Sequence, residues 1–305
     1  MRSIRLLSAL VALVAGAALA TSAVPAGPAT AAPAPRVLNV VAAENFWGSL
    51  AAQLGGRLVR VTSIVTDPNA DPHEYESSPA DARLFAQADL VIVNGAGYDT
   101  WADKLLAASP RAGRQVLDVA TFLHRPAGAN PHLWYDPADV SSVIDKITSL
   151  YRSIEPGARG FFAARHRSVE SALSGYRDRL ATLKKRYAGT AVGATESIFV
   201  DLAGALHLKL ITPKAFMDAV SEGVDPPISS LVTFERQISA RRIKVLVYNV
   251  QTVTPLTATI RAKARARHIP VVGISETMVP PNSTFQRWMV GQLNRLAAAL
   301  AEARS

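Results

Sequence analysis

The stretch Ala88-Asp89-Leu90-Val91-Ile92-Val93-Asn94-Gly95 indicates the fold class of the chain. Its four central residues are all apolar, three of them are β-branched, and an Asn-Gly pair follows them. A strand without polar alternation is covered on both faces, which is typical of a parallel sheet between layers of helices. Further apolar strands are predicted at Val37 to Ala43, Leu58 to Val65 and Gln115 to Val119, with helical segments between them. The first half of the chain is therefore predicted to be α/β.

The second half of the chain repeats this alternation. Strands are predicted at Thr190 to Thr195, Leu208 to Ile211, Val245 to Asn249 and Pro270 to Ile274. Between the halves, from about Gly157 to Tyr187, apolar residues recur at intervals of three, four or seven, which predicts one amphipathic helix. Thirty residues at 1.5 Å each span roughly 45 Å, enough to join two lobes. The alternative is an ordinary packing helix with an internal break.

The first 31 residues have the pattern of a secretory signal. Arg2 and Arg5 are followed by the apolar stretch Leu6 to Ala20 and by the small residues Ala29-Thr30-Ala31. We predict cleavage after residue 31, with an uncleaved anchor as the alternative. The whole chain of 305 residues is 49% hydrophobic with a mean hydropathy of +0.15, and the part after the signal is long enough for one or two domains. We predict an N-terminal lobe at 32–152, a linking helix at 153–188 and a C-terminal lobe at 189–305.

Charge and cysteine content restrict the possible partners. The formal net charge is +9, and loss of the signal would lower it to +7. Lysine and arginine are spread along helical segments such as Arg177 to Arg186, so nucleic acid is not expected as a partner.

The chain contains no cysteine, which excludes disulfides, thiolate metal ligands and cysteine lipidation. We expect an exported, soluble monomer without stable membrane insertion, in which any metal is bound by His, Asp and Glu alone.

Two histidines follow predicted strands in proline-containing loops. The first loop is Asp71-Pro72-His73-Glu74-Tyr75-Glu76, and the second is Asn130-Pro131-His132-Leu133-Trp134-Tyr135-Asp136-Pro137. Proline fixes its own φ and restricts the preceding residue, so each imidazole is presented by a stiff backbone. Such an imidazole suits metal binding, because little conformational freedom is lost when the ion binds. The alternative is two surface histidines near turns.

Two carboxylates occupy equivalent positions in the second half. Glu196 follows the strand that ends near Thr195, and Glu276 follows the strand that ends near Ile274. Taken singly, each could be an ordinary glutamate at a helix start. If the carboxyl edges of two sheets faced each other, however, two imidazoles and two carboxylates would meet in the cleft. Together with a divalent cation they sum to zero charge, so the filled site could be buried without a large desolvation cost.

These motifs resemble those of the metal-binding substrate-binding proteins of zinc/manganese ABC importers. The resemblance rests on the two histidine motifs, the Ala88–Gly95 run and the long helix in the middle of the chain, and it covers essentially all of the mature sequence. It implies two four-stranded α/β lobes joined by one rigid helix, with a metal site at their interface. It also implies capture of one divalent transition metal ion, manganese or zinc, for delivery to a membrane permease.

By matching position, the resemblance assigns His73, His132, Glu196 and Glu276 as metal ligands. It implies that the third position is His in many zinc binders and Glu in many manganese and iron binders, and that the fourth is commonly Asp. Nitrogen and oxygen donors in equal number favour manganese, although zinc binds more tightly to almost any such site. Four residues are expected to support the ligands by shaping the first loop or by excluding water around the second: Glu74, Tyr75, Trp134 and Tyr135.

The remaining histidines are secondary candidates. His124 is a minor candidate for an auxiliary ligand, and His207 is the reserve candidate if Glu196 is not a ligand. His166 and His268 stand among basic residues and are expected to be solvated.

Two other functions are compatible with an exported metal-binding protein. A secreted metal-dependent hydrolase would use a metal-bound water as nucleophile, but the sequence has no His-Glu-x-x-His motif and no nucleophile elbow. A metal-binding surface adhesin is the third hypothesis, and no wall-attachment segment supports it. Metal capture for transport, without enzymatic activity, is the preferred prediction.

Overall fold

The computed structural model describes residues 34–69, 72–126 and 128–304. The predicted signal segment, residues 1–31, lies outside this part of the chain. The first sheet has the strand order β2-β1-β3-β4 and the second has the order β6-β5-β7-β8, and all the paired strands are parallel. The strands are β1 (Leu38–Glu44), β2 (Val59–Val65), β3 (Leu90–Val93), β4 (Gln115–Asp118), β5 (Ala191–Ala194), β6 (Lys209–Leu210), β7 (Leu246–Asn249) and β8 (Val271–Ile274).

Helices flank each sheet, which confirms the predicted α/β class with two four-stranded parallel sheets. In the first half they are α1 (Asn45–Gly55), α2 (Pro79–Gln87), α3 (Thr100–Ala108), α4 (Val119–Phe122) and α5 (Pro137–Ile154). The linking segment contains α6 (Arg159–Ala172) and α7 (Ser174–Tyr187). In the second half they are α8 (Val200–Ala205), α9 (Lys214–Ser221), α10 (Ile228–Ser239), α11 (Pro255–Ala266) and α12 (Phe285–Glu302). Among the described residues, none of these helices combines the length and apolar character needed to cross a membrane.

Strand order determines where a ligand can bind. In each sheet the second strand is added on one side of the first and the later strands on the other, so the strand order reverses between β1 and β3 in one lobe and between β5 and β7 in the other. Ligands in open parallel sheets bind at such a switch point, beyond the carboxyl ends of the strands. Here these edges of the two sheets face each other across a cleft, since the Tyr98 hydroxyl beyond β3 donates a hydrogen bond of 2.6 Å to Glu276 beyond β8.

The segment predicted as one long helix consists of two consecutive helical segments, α6 and α7, with Leu173 between them. The Leu173 amide donates to the Val169 carbonyl, and the Arg177 amide donates to the Leu173 carbonyl, both at 3.0 Å. Hydrogen bonds with four-residue spacing therefore continue through the junction, which explains why the apolar spacing gave no sign of it. The limits of the three predicted domains stay a prediction.

A shared core and a strap hold the two lobes together. One hydrophobic cluster includes residues of both sheets, α1, α5, α6, α7 and α12. The strap is the segment from Thr277 to Gln286, which passes from the second lobe along α1 of the first. There the Met278 amide donates to Asn45 Oδ1 and the Phe285 amide to Ser49 Oγ, each at 3.0 Å. The lobes are thus joined beside the cleft as well as through the linking helices.

Helices α9 and α12 of the second lobe differ in how clearly the local sequence marks them. Helix α9 was not predicted, although Phe216, Met217 and Val220 form its buried face, because an eight-residue helix between proline-containing turns shows too few turns for a period. Helix α12 begins at Phe285. The Thr284 hydroxyl accepts a hydrogen bond from the Arg287 amide and so caps it.

Candidate metal centre

The first histidine lies in a short 3-10 turn, Pro72–Glu74, between β2 and α2. The loop ends at a capping box in which Ser78 and Asp81 satisfy each other's backbone amides. The Tyr75 hydroxyl also donates to Asp81 at 2.9 Å; the role of Tyr75 in supporting the ligands stays a prediction. His73 is the most accessible member of the site, with 26% of its side chain exposed.

The second histidine is fully buried, and a neighbouring amide orients it. His132 Nδ1 lies 2.7 Å from Asn130 Oδ1. Because the amide oxygen can only accept, Nδ1 carries the proton and Nε2 is directed to the cleft, a requirement for a metal-binding imidazole. Trp134 stacks on Phe46 with centroids 3.9 Å apart and meets the His132 ring edge-on at 5.3 Å. This aromatic wall excludes water from one side of the site.

The amide that orients His132 is itself held by the second lobe. Asn130 Nδ2 donates to Asp201 Oδ2 at 3.0 Å and to the Ser197 carbonyl at 3.2 Å. These contacts fix which end of the amide faces the imidazole. Burial, together with the charge of Asp136, raises the pKa of Asp201 to about 6. The orientation of a candidate ligand in the first lobe thus depends on contacts with the second.

The third member of the site is Glu276, a fully buried carboxylate just beyond β8. Tyr98 donates to its Oε2 at 2.6 Å, and Asn249 donates to its Oε1. Burial alone would raise the pKa of Glu276, but the hydrogen bond and charge of His132, the charge of His73 and the Tyr98 hydroxyl together lower this pKa to about 2. The carboxylate is therefore anionic at neutral pH, as a metal ligand must be.

The three side chains converge to coordination distance. Glu276 Oε2 lies 3.5 Å from His73 Nε2, and Glu276 Oε1 lies 3.8 Å from His132 Nε2. One donor atom from each residue can be chosen so that all three lie within 4.8 Å of one another. Ligand bonds of about 2.1 Å at a tetrahedral angle separate donor atoms by about 3.4 Å. The two imidazole–carboxylate distances are within about 0.4 Å of this spacing, and small side-chain rotations would bring the third donor pair to it.

Glu196, the fourth residue assigned by resemblance, is not a member of this group. It is buried directly after β5, at the start of a 3-10 turn that begins with Ser197. The Ser197 hydroxyl lies 3.4 Å from His132 Nδ1, so the backbone of this segment borders the site. The role of Glu196 as a ligand stays a prediction.

The other sequence candidates lie either next to the site or at the protein surface. Tyr135 is buried and donates to the Ser275 carbonyl at 2.8 Å, next to Glu276, whereas Glu74 is exposed. His207 is exposed in the turn before β6, at the opposite edge of the sheet from the site. His124 and His268 are exposed turn residues with positive φ. His166 lies 2.7 Å from Asp145 Oδ1 at the surface.

Three polar residues that contact Glu276 were missed in the sequence. Tyr98 and Asn249 bind its carboxylate, and Gln251 Oε1 accepts a hydrogen bond of 2.7 Å from its backbone amide. A sequence signal existed, because Tyr98 follows the glycine-containing turn after β3 while Asn249 and Gln251 are at and just beyond the end of β7. Polar residues beyond strand ends at a switch point are candidates for a binding site.

Comparison with known proteins gives a family match. The profile of the family described as zinc-uptake complex component A periplasmic, ZnuA, matches residues 40–299. Over 132 residues the chain is 30% identical to the manganese-binding lipoprotein MntA of Halalkalibacterium halodurans, an alignment that covers 42% of this chain and 43% of MntA. The chain spans about half or less of the length of the curated relatives that it matches.

Solved structures share the fold. The crystal structure of a ZnuA protein superposes with a TM-score of 0.70 at 19% identity and covers 86% of this chain and 99% of that one. The periplasmic zinc-binding protein TroA from Treponema pallidum gives a TM-score of 0.70 at 17% identity, with coverages of 87% and 99%. At these identities the likeness shows the two-lobed α/β fold.

Proposed function

The chain belongs to the zinc-uptake complex component A periplasmic family, and on that premise we propose that it captures a divalent transition metal ion and delivers it to the membrane permease of an ABC importer. One observation carries the proposal. Two imidazoles from one lobe and an anionic carboxylate from the other are already spaced as ligands of a small divalent cation. Capture and release do not require the lobes to separate, since 26% of the His73 side chain is exposed and an ion can enter beside it.

We propose His73, His132 and Glu276 as ligands, with Glu196 as the fourth. Two neutral imidazoles and two carboxylates would neutralise a divalent ion in a buried site. Glu196 supports this assignment through its burial and through the contact of its neighbour Ser197 with His132. A modest movement of the side chain or of the Ser197 turn would add the fourth donor when the ion binds.

The proposed cargo is manganese or zinc. Nitrogen and oxygen donors in equal number, with carboxylates able to bind through two oxygens, allow five or six ligand atoms, which suits Mn²⁺. Zn²⁺ nevertheless forms tighter complexes at most sites of this type. The relatives differ by name in the same way, since MntA is manganese-binding and TroA is zinc-binding. Elemental analysis of protein isolated from its native compartment tests the choice.

Competition titration with a chelator of known affinity tests the proposed ligands. We expect His132→Ala and Glu276→Ala to weaken binding by more than about 100-fold, beyond the loss that removing an outer partner causes. Glu76→Ala is the matched control, because it removes an exposed carboxylate from the loop that carries His73 and should leave the affinity unchanged. Unchanged affinity in Glu276→Ala would refute the proposed site, whereas unchanged affinity in Glu196→Ala would remove only the fourth ligand.

We also propose that the protein is not an enzyme and acts as an exported monomer. Four protein ligands leave little room for the metal-bound water that a hydrolase needs, so ester and peptide substrates should not turn over. Cleavage after residue 31 and release without a lipid anchor are proposed from the signal pattern and the cysteine-free sequence, although MntA is by name a lipoprotein. Mass spectrometry of the exported protein and light scattering test these points.

A further inference from the structure

Exposed lysine and arginine side chains cover the amino-terminal edge of the second sheet, opposite the metal centre. They lie in the last turns of the helices that lead into its strands, in the adjoining loops, at the start of β6 and just after α12. Within the described residues, this basic edge consists of Lys184, Lys185, Arg186, Lys209, Arg236, Arg241, Arg242, Lys244, Lys263, Arg265, Arg267 and Arg304. The acidic residues in the same segments are Glu235, which is paired with Lys263, and Glu302.

The fold brings these residues together from the four connections that lead into β5, β6, β7 and β8, and from the end of α12. The Lys209 amide donates to the Thr190 carbonyl at 2.9 Å, and the Lys244 amide donates to the Ala191 carbonyl at 2.8 Å. The starts of β5, β6 and β7 are therefore adjacent, and neighbouring strands lie about 4.8 Å apart. The guanidinium groups of Arg186 and Arg304 both lie over the Tyr187 ring, 5.3 and 5.0 Å from its centroid. The basic edge is thus one continuous surface.

Two open grooves cross this surface. The larger, of about 560 Å³, is lined by Arg265, His268, Arg295 and Glu302 among others. The smaller, of about 270 Å³, is lined by Lys244, Arg304 and the segment 189–191. Neither encloses a buried charge that would select a small anion, so the surface suits an extended partner that makes many contacts.

Helix electrostatics accounts for only part of the cluster. Cations in the last turn of a helix interact favourably with its dipole, which explains Lys184 to Arg186, Arg236 and Lys263. It does not explain the basic residues in the loops. Arg241 even adopts a φ of 51° just after α10, in a conformation where glycine is free of strain and other residues cost roughly 1 kcal/mol.

The opposite edge of the molecule carries the opposite charge. The loops around the mouth of the cleft expose carboxylates at Asp67, Glu74, Glu76, Glu222 and Asp225, whereas the cations Arg125 and Lys214 there are paired with Asp139 and Asp218. A polyanion would therefore be attracted to the basic edge and repelled from the metal centre. The two surfaces can function at the same time because they lie at opposite ends of the strands.

We propose that the basic edge binds a flexible, phosphate-bearing polymer of the cell envelope. Guanidinium groups match phosphate oxygens in pairs, and a flexible chain can follow grooves and ridges that a flat surface could not. An anionic lipid layer fits less well, since binding it through this edge would turn the cleft away from a permease in the same membrane. Only this orientation argument rests on the proposed function.

Long-chain inorganic polyphosphate carrying a fluorescent end label is the probe. Binding to the metal-free mature protein is measured by anisotropy over a range of NaCl concentrations, because polyphosphate itself binds divalent ions. The edge variant changes Lys185, Arg241, Arg242 and Arg267 to Gln. The matched control removes the same charge from exposed positions elsewhere by changing Arg60, Lys104, Arg152 and Arg167 to Gln.

The edge variant should bind at least about thirtyfold more weakly, and the slope of log K against log salt should fall by about three, since four phosphate contacts are lost. The control should stay close to wild type, because charges more than about 10 Å away are screened. Equal weakening of both variants would overturn the proposal, as would tighter binding to duplex DNA or to phosphatidylglycerol vesicles than to polyphosphate. Circular dichroism checks folding, and separate metal titrations keep this test distinct from that of the proposed function.

Discussion

The hydroxyl group of Tyr98 offers the sharpest test of how the metal centre is organised. It comes from the first lobe and donates a hydrogen bond of 2.6 Å to Glu276 Oε2 in the second. Asn249 donates to the other oxygen from within the second lobe. The two donors together fix the rotation of the carboxylate, so that one oxygen lies 3.5 Å from His73 and the other 3.8 Å from His132.

Tyr98→Phe removes one of these two restraints and changes little else. Tyr98 is buried, and its ring packs edge-on against His73 with centroids 4.6 Å apart, a contact that phenylalanine keeps. Without the hydroxyl the carboxylate gains rotational freedom, which must be lost again when the ion binds. Removal of an outer partner of this kind costs about 10- to 100-fold in metal affinity. The metal-free protein should also lose about 1.5 to 3 kcal/mol of unfolding free energy, because the hydrogen bond is to a charged group.

Chelator competition and denaturant unfolding measure the two effects separately. Tyr151→Phe is the matched control, since its hydroxyl is buried and donates to the Ala51 carbonyl at 3.0 Å, outside the metal centre. That variant should lose stability and keep its metal affinity. If Tyr98→Phe bound metal as tightly as wild type while losing stability, the hydroxyl would have no role in holding the ligand, and the positioning argument would be refuted.

Two further predictions concern residues around the site. Asn130→Ala should weaken metal binding by about 10- to 100-fold, because His132 Nδ1 loses its acceptor; titration calorimetry measures the loss, and an unchanged affinity would contradict the assigned orientation of the imidazole. Burial first, and the charge of Asp99 second, raise the pKa of Glu44 well above its ordinary value of 4.5. The unfolded chain therefore releases this proton at lower pH than the folded protein, so folding stability falls by up to about 1.4 kcal/mol per pH unit above pH 4.5 until the folded carboxyl ionises. Glu44→Gln should remove that decline in pH-dependent denaturant unfolding and be more stable than wild type at pH 8, whereas identical pH profiles would show that Glu44 is ionised when folded.

The elements that the sequence predicted well are those with a short-range signal. The run Leu90 to Val93 is apolar on both faces, and in the structure all four residues are buried. The histidine loops were recognisable by the prolines next to each histidine, and in the structure Ser78 and Asp136 cap the helices that follow. These features depend on neighbours within a few residues, which a linear pattern contains.

The features that were missed depend on contacts between distant parts of the chain. Tyr98 and Glu276 are 178 positions apart, and no local period relates them. The group with both imidazoles includes Glu276, which follows β8 in the other lobe. Its approach to the histidines depends on how the two sheets face each other, and this is determined by packing between the lobes.

The unequal exposure of the three clustered residues suggests how an ion enters the site. His132 and Glu276 are inaccessible, whereas 26% of the His73 side chain is exposed. The shared core and the strap along α1 oppose separation of the lobes as rigid bodies. Metal binding should therefore slow amide hydrogen exchange mainly between β2 and α2, with α1, α6 and α7 unchanged. Slower exchange throughout α6 and α7 on metal binding would instead mean that the lobes close as whole bodies, and the strap would then have to break and re-form in each cycle.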